Sequence, residues 1–155
     1  MIVIKPCEKD LDFLFAKQLV KDYIRWLNID LSFQDIDKEL SDLSSTYGPP
    51  NGLFLLTWHE DELAGGVGLR MLEPTVCEMK RLYVYDQFKN KDIGRRLCIA
   101  LIQEARNLGY EKMRLDTLDR MKSAIGLYKR LEFKEIEPYR FNPDPTTKYV
   151  ELSLR

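Results

Sequence analysis

Residues 77–117 carry the pattern that most restricts the fold of this chain. Residues 77–85 read as a strand. Asp92 then opens a helix whose apolar positions Ile93, Leu97, Ala100, Leu101, Ala105 and Leu108 recur at helical spacing, and Gly109 stops it. Residues 112–117 read as the next strand. A strand–helix–strand crossover of this length predicts that the two strands lie parallel in one sheet.

The rest of the chain surrounds that unit. Residues 2–4 read as a short strand. Phe13, Ala16, Val20, Tyr23, Ile24 and Leu27 predict a helix over 10–27, and Ile36, Leu40 and Leu43 a shorter second one. The breaker run at 47–52 precedes a hairpin, 53–58 with 63–71. Gly65, Gly66 and Gly68 weaken its second strand or let another backbone come close. Met121, Ala124, Ile125, Tyr128 and Leu131 mark a last helix, and residues 133–137 and 148–154 two final strands around a loop with Pro138, Pro143 and Pro145. The order predicts one α/β domain over residues 1–155, with a mixed sheet of six to seven strands flanked by helices.

Charge and composition narrow the function. Lys plus Arg number 24 against 25 Asp plus Glu, which argues against a dedicated nucleic-acid binder. Cys7, Cys77 and Cys98 lack metal-ligand spacing and His59 is the single histidine, read as a surface residue at a hairpin turn, so no metal site is expected. Reduced thiols and the lack of a signal-like opening point to a cytoplasmic protein. No apolar run nears the ~20 residues of a membrane span. One stretch is lopsided: Lys80, Arg81, Lys89, Lys91, Arg95 and Arg96 face only Asp86 and Asp92. A strand, a basic loop and a helix N-terminus in succession suit an anion, because free N–H groups and the helix dipole point at it. A plain capped helix is the alternative.

Residues 78–97 resemble the acetyl-CoA-binding motif of the GNAT superfamily of N-acetyltransferases, Gln/Arg-x-x-Gly-x-Gly/Ala between a strand and a long helix. Residues 115–117 and 124–133 resemble its second motif. The element order is similar along nearly the whole chain, and 138–143 with 149–152 resembles a bacterial branch of mostly unassigned substrate. The resemblance implies a GNAT-like fold and transfer of an acetyl group from acetyl-CoA to a primary amine of a small molecule or peptide, by direct attack in a ternary complex. It implies that the backbone of Leu82, Tyr83 and Val84 holds the pantetheine arm, with the Leu82 N–H polarising the acetyl carbonyl. Lys89, Asn90, Lys91, Asp92, Ile93, Gly94 and Arg95 would wrap the pyrophosphate. Glu78 would be the general base and Tyr128 the acid. Tyr23, Trp26, Tyr139 and Asn142 would line the acceptor site, with Phe33 and Tyr47 as further aromatics. The family also implies a homodimer through strand pairing.

Several positions depart from the pattern. Lys89 replaces Gln or Arg, Asp92 the first Gly, Asn90 a frequent Gly, Met121 an Asn and Glu132 a Gly. Asp92 at the N-cap is expected to accept the first-turn N–H groups and so compete with a phosphate; Lys89, Lys91, Arg95 and Arg96 could compensate. If they do not, the chain is a non-catalytic module that keeps the fold with CoA binding weakened or lost and acts as a ligand-binding or interaction protein. Glu78 shares a pleat face with Leu82 unless a bulge intervenes, and its alternative role is an ion pair with Lys80, Arg81 or Arg114. The alternative for Tyr128 is a core aromatic. Glu132 in a left-handed conformation would cost about 1 kcal/mol.

Overall fold

The computed structural model describes residues 1–31 and 35–155. Phe33, expected at the acceptor site, lies outside the described residues. Strand β1 (Ile2–Pro6) is followed by helix α1 (Asp10–Leu27) and two short helices, α2 (Ile36–Ser41) and α3 (Leu43–Thr46). Strands β2 (Leu53–His59), β3 (Glu62–Glu73) and β4 (Val76–Val84) lead to α4 (Ile93–Asn107), β5 (Lys112–Thr117), α5 (Lys122–Arg130), β6 (Lys134–Glu135) and β7 (Lys148–Ser153). The seven strands form one mixed sheet, ordered β1-β2-β3-β4-β5-β7-β6. Among the described residues only β4 and β5 pair in parallel, as the crossover predicts.

Local chemistry sets the element ends. Asp12 accepts the N–H groups of Glu8 and Lys9 at 2.9 and 3.0 Å, closing the α1 N-terminus. Asn28 (φ 56°) ends that helix and Gly109 (φ 90°) follows α4. The single helix expected around residues 36–43 is two, because Asp42 leaves helical geometry and serves α3, its side chain accepting the Ser45 N–H. Each sheet face has its own core. Leu19, Val20, Tyr47 and Phe54 pack with α1 on one face. Met79, Leu97, Leu101 and Met113 pack with α4 and α5 on the other.

The decisive irregularity lies in β4. Gly66 pairs with Tyr83 and Gly68 with Lys80, so Arg81 and Leu82 together oppose the single residue Val67. This is a β-bulge, and Arg81 takes its positive φ of 61°. Gly65 on β3 lets the bulged strand close in, since a Cβ there would lie 2.7 Å from the Tyr83 carbonyl oxygen; Gly68 makes room for the Tyr47 ring, which would lie 2.7 Å from a Cβ there. A left-handed Arg costs about 1–2 kcal/mol, so something must hold it. The buried Arg81 guanidinium donates to both oxygens of buried Glu39 on α2, at 2.9 and 3.0 Å. Tyr47 donates to the same carboxylate at 3.0 Å. Burial alone would push the Glu39 carboxyl up, and the hydrogen bond and charge of Arg81, with the charge of Lys80 and the Tyr47 hydrogen bond, together hold it low.

Arg81→Leu would leave Glu39 buried without its cation. The expected loss is about 3–5 kcal/mol of unfolding free energy, read by chemical denaturation. A loss under about 1 kcal/mol would mean the pair does not hold the bulge.

Candidate active site

The bulge parts the two parallel strands. The β4–β5 ladder runs only from Val76–Lys112 to Glu78–Arg114. Beyond it a shallow cleft opens, with a cavity volume of about 80 Å³. Lys80, Leu82, Asp116, Tyr128, Tyr23 and Asn142 are among the residues that line it. The bulge also reverses the pleat. Leu82 and Val84 pack toward the α4 core with Met79, whereas Tyr83 turns to the α1 core. Glu78 and Leu82 therefore do not share a face, and the expectation that they would is corrected by the extra residue.

The basic loop keeps a glycine-like path without glycines. Asn90 (φ 68°) and Asp92 (φ 64°) both adopt the left-handed conformation, which Asn and Asp tolerate better than most residues. Asp92 stands at the N-cap of α4, but its side chain caps nothing. Its carboxylate pairs instead with Arg95 at 2.9 Å. This corrects the expectation that Asp92 consumes the first-turn donors. The first intrahelical bond is Arg96 N–H to the Asp92 carbonyl, so the Ile93, Gly94 and Arg95 amides precede the ladder. Gly94 faces Leu127 of α5, whose Ala124 and Tyr128 line the cleft. Ile93 buries its side chain in the core, leaving only its backbone for a ligand. Lys91 is exposed. Lys89 pairs with Asp86 at 2.8 Å and lies 5.0 Å from the Trp26 ring centre.

Glu78 sits in a cage of donors. Its side chain is fully buried and accepts from Arg70 Nε at 2.8 Å, Tyr139 Oη at 2.7 Å and Arg140 Nη2 at 2.9 Å. Arg140 Nη1 lies 2.6 Å from its second oxygen. Burial would raise the carboxyl, but the charge of Lys80, the hydrogen bond and charge of Arg140 and the charge of Arg70 hold it down to about 2. A carboxylate so occupied is a poor proton acceptor. The base role expected of Glu78 gives way to an anchor that pins the loop between β6 and β7 onto the sheet. Of the partners expected for it, Lys80 acts on Glu78 through its charge; Arg70 and Arg140 form ion pairs with it, while Arg81 bonds Glu39 and Arg114 bonds Glu151 and Glu73.

The acceptor candidates divide. Tyr23 and Asn142 line the cleft. Tyr139, expected there, spends its hydroxyl on Glu78 and stands between Arg114 and Arg140, 5.7 and 5.0 Å from its ring centre. Tyr47 is fully buried in the core, which corrects its assignment to the acceptor site. Trp26 lies beside Tyr23 and Tyr83, with ring centres 6.3 and 5.7 Å away, rather than lining the cleft. Tyr128 is buried against Phe133, and burial, with charge from Cys98, Tyr23 and Asp116, raises its hydroxyl well above the ordinary phenol value. It stays protonated. Lys80, Asp116 and Arg140 were not singled out as site residues in the sequence. Burial pushes the Lys80 ammonium down to about 8, with Arg81 adding to the effect. All three lie in segments with a signal of place (Lys80 in the basic stretch, Asp116 in the second motif and Arg140 in 138–143), but only Lys80, as an ion-pair partner of Glu78, carried one of role.

The Glu78 cage has a pH signature. A carboxyl held at about 2 in the fold against 4.5 free contributes stability that is complete above about 4.5 and lost as pH falls toward 2. The wild type should lose unfolding free energy across that window more steeply than Glu78→Gln, in denaturant titrations at stepped pH. Equal slopes would contradict the cage.

Residues 16–133 match the acetyltransferase (GNAT) family. An uncharacterized N-acetyltransferase of Schizosaccharomyces pombe is 39% identical over 150 residues, covering 94% of this chain and 90% of the relative. The resemblance is thus not confined to bacteria. A GNAT-family acetyltransferase of Staphylococcus aureus superposes with a TM-score of 0.81 at 21% identity, over 100% of both chains. An acetyltransferase of Salmonella typhimurium, solved with its cofactor acetyl-CoA, superposes at 0.71 and 17% identity, over 99% of this chain and 94% of that one. The chain belongs to the acetyltransferase (GNAT) family and is an N-acetyltransferase by that family and its relatives.

Proposed function

We propose that the protein transfers the acetyl group of acetyl-CoA to a primary amine of a small-molecule or peptide acceptor, both bound together. The observation that carries this reading is the parting of β4 and β5 at the Arg81 bulge, beside the α4 N-terminus. A parted strand offers unpaired backbone N–H and C=O groups to an extended ligand arm. Leu82 to Val84 are those groups here. The left-handed Asn90 and Asp92, with the amides of residues 93–95, suit the pyrophosphate. Lys89, Lys91, Arg95 and Arg96 supply charge that offsets Asp92, and Arg95 already does so at 2.9 Å.

Catalysis on this reading is mostly proximity and electrostatics. The Leu82 N–H would polarise the acetyl carbonyl. The amine nitrogen forms a bond to the carbonyl carbon, and the C–S bond breaks as the tetrahedral species collapses. Tyr128, held neutral by its burial, would give its proton to the departing sulfur and regain one from the new amide nitrogen.

Calorimetric titration tests the donor half. Saturable micromolar binding of acetyl-CoA is expected for both the wild type and Tyr128→Phe. Turnover of the variant should fall about 10²-fold or more, the worth of a lost general acid. No binding at millimolar acetyl-CoA would favour the non-catalytic module. An unchanged rate would remove Tyr128 from the chemistry.

A further inference from the structure

The amine must shed a proton, and Glu78 is not free to take it. The cleft holds a second carboxylate. Asp116 stands near the end of β5, past the last β4–β5 rung, and lines the same cleft as Leu82 and Tyr128. Its side chain is nine-tenths buried. Its Oδ2 accepts no hydrogen bond from the described residues. Arg140 Nη1 is 3.5 Å away, beyond normal N–H···O range, and lies 2.6 Å from Glu78. Buried carboxylate oxygens are nearly always partnered, and this one, on a residue that lines the cleft but itself shielded from solvent, has only the Arg140 charge beside it, so it keeps an acceptor position that an entering donor could fill by displacing Arg140.

We propose that Asp116 is the carboxylate that receives the acceptor nitrogen, accepting its N–H and taking its proton. This rests on the reading of the cleft as an acetyl-transfer site. The acceptor enters as an ammonium and donates an N–H to Oδ2. Lys80, Arg70 and Arg140 surround Glu78 and Asp116. Three cations against two carboxylates favour the neutral amine over the ammonium once it is inside. One proton passes to Asp116 and on to solvent at the cleft mouth. The freed lone pair forms the N–C bond, and the second nitrogen proton ends on sulfur as the C–S bond breaks. Atoms and charge balance: an ammonium and a thioester give an amide, a thiol and one released proton. The assignment also divides the two carboxylates. Glu78 holds the loop, and Asp116 meets the substrate.

The test uses the whole chain, acetyl-CoA and three probe amines: n-butylamine, 2-phenylethylamine and glycinamide. Thiol release reports turnover, and calorimetry reports acetyl-CoA affinity. Asp116→Asn keeps the shape and removes the proton acceptor. It should lower kcat/KM for the best amine by about 100-fold or more while acetyl-CoA affinity stays within about twofold of wild type. Asp116→Glu should recover part of the rate. An Asn variant within about threefold of wild type would overturn the proposal, as would one that also loses acetyl-CoA binding, since that marks a structural role. Failure of the underlying reading looks different. The wild type itself would then bind no acetyl-CoA, or bind it and acetylate none of the three amines, and the proposal would fall with it.

Discussion

The Glu39–Arg81 pair carries the architecture of the site. It fixes a non-glycine residue at φ 61° in the middle of a central strand. A regular β4 would keep its ladder with β5 to the end, and there would be no cleft. The bulge ends that ladder after three rungs and turns Leu82 and Val84 toward the α4 core. The supports are local and buried: Tyr47 bonds Glu39, and Gly68 gives the Tyr47 ring its room. Part of the stability of the α2 region is thereby committed to one strained position on the opposite strand. That is the pattern expected where strain serves a site.

The second organising contact is the Glu78 cage. Arg70 reaches it from the neighbouring strand, while Tyr139 and Arg140 reach it from the loop before β7. The same loop carries Asn142 into the cleft and leaves Phe141 76% exposed at its outer side. The loop is thus tied down beside two residues that face outward and inward from it. Breaking the cage would release the acceptor wall without touching the loop that precedes α4. Donor and acceptor halves of the site have separate supports, one centred on Arg81 and one on Glu78.

Much of this frame was legible in the sequence. Hydrophobic spacing located the long helices, Gly109 the end of α4 and the 47–52 breaker run the start of the β2–β3 hairpin, because these signals are local. The crossover from 77 to 117 dictated the parallel pair. The αL position of Glu132 (φ 74°) was also readable, from the glycine it replaces. What escaped was long-range. Nothing around Arg81 announces a partner 42 residues earlier. Nothing near Glu78 announces Tyr139 and Arg140, 61 and 62 residues later. Asp92 reads as an N-cap by type, yet its side chain turns to Arg95 because the residue is left-handed. The bulge that separates Glu78 from Leu82 could be allowed for but not located.

Amide hydrogen exchange with and without acetyl-CoA tests the central claim, that the bulge-opened edge of β4 and the α4 N-terminus form one donor site. The account predicts that acetyl-CoA slows exchange at residues 82–84 and 93–95 together and leaves β1 and the α1 N-terminus unchanged. Protection confined to other segments, or at the α4 N-terminus with none along 82–84, would contradict it.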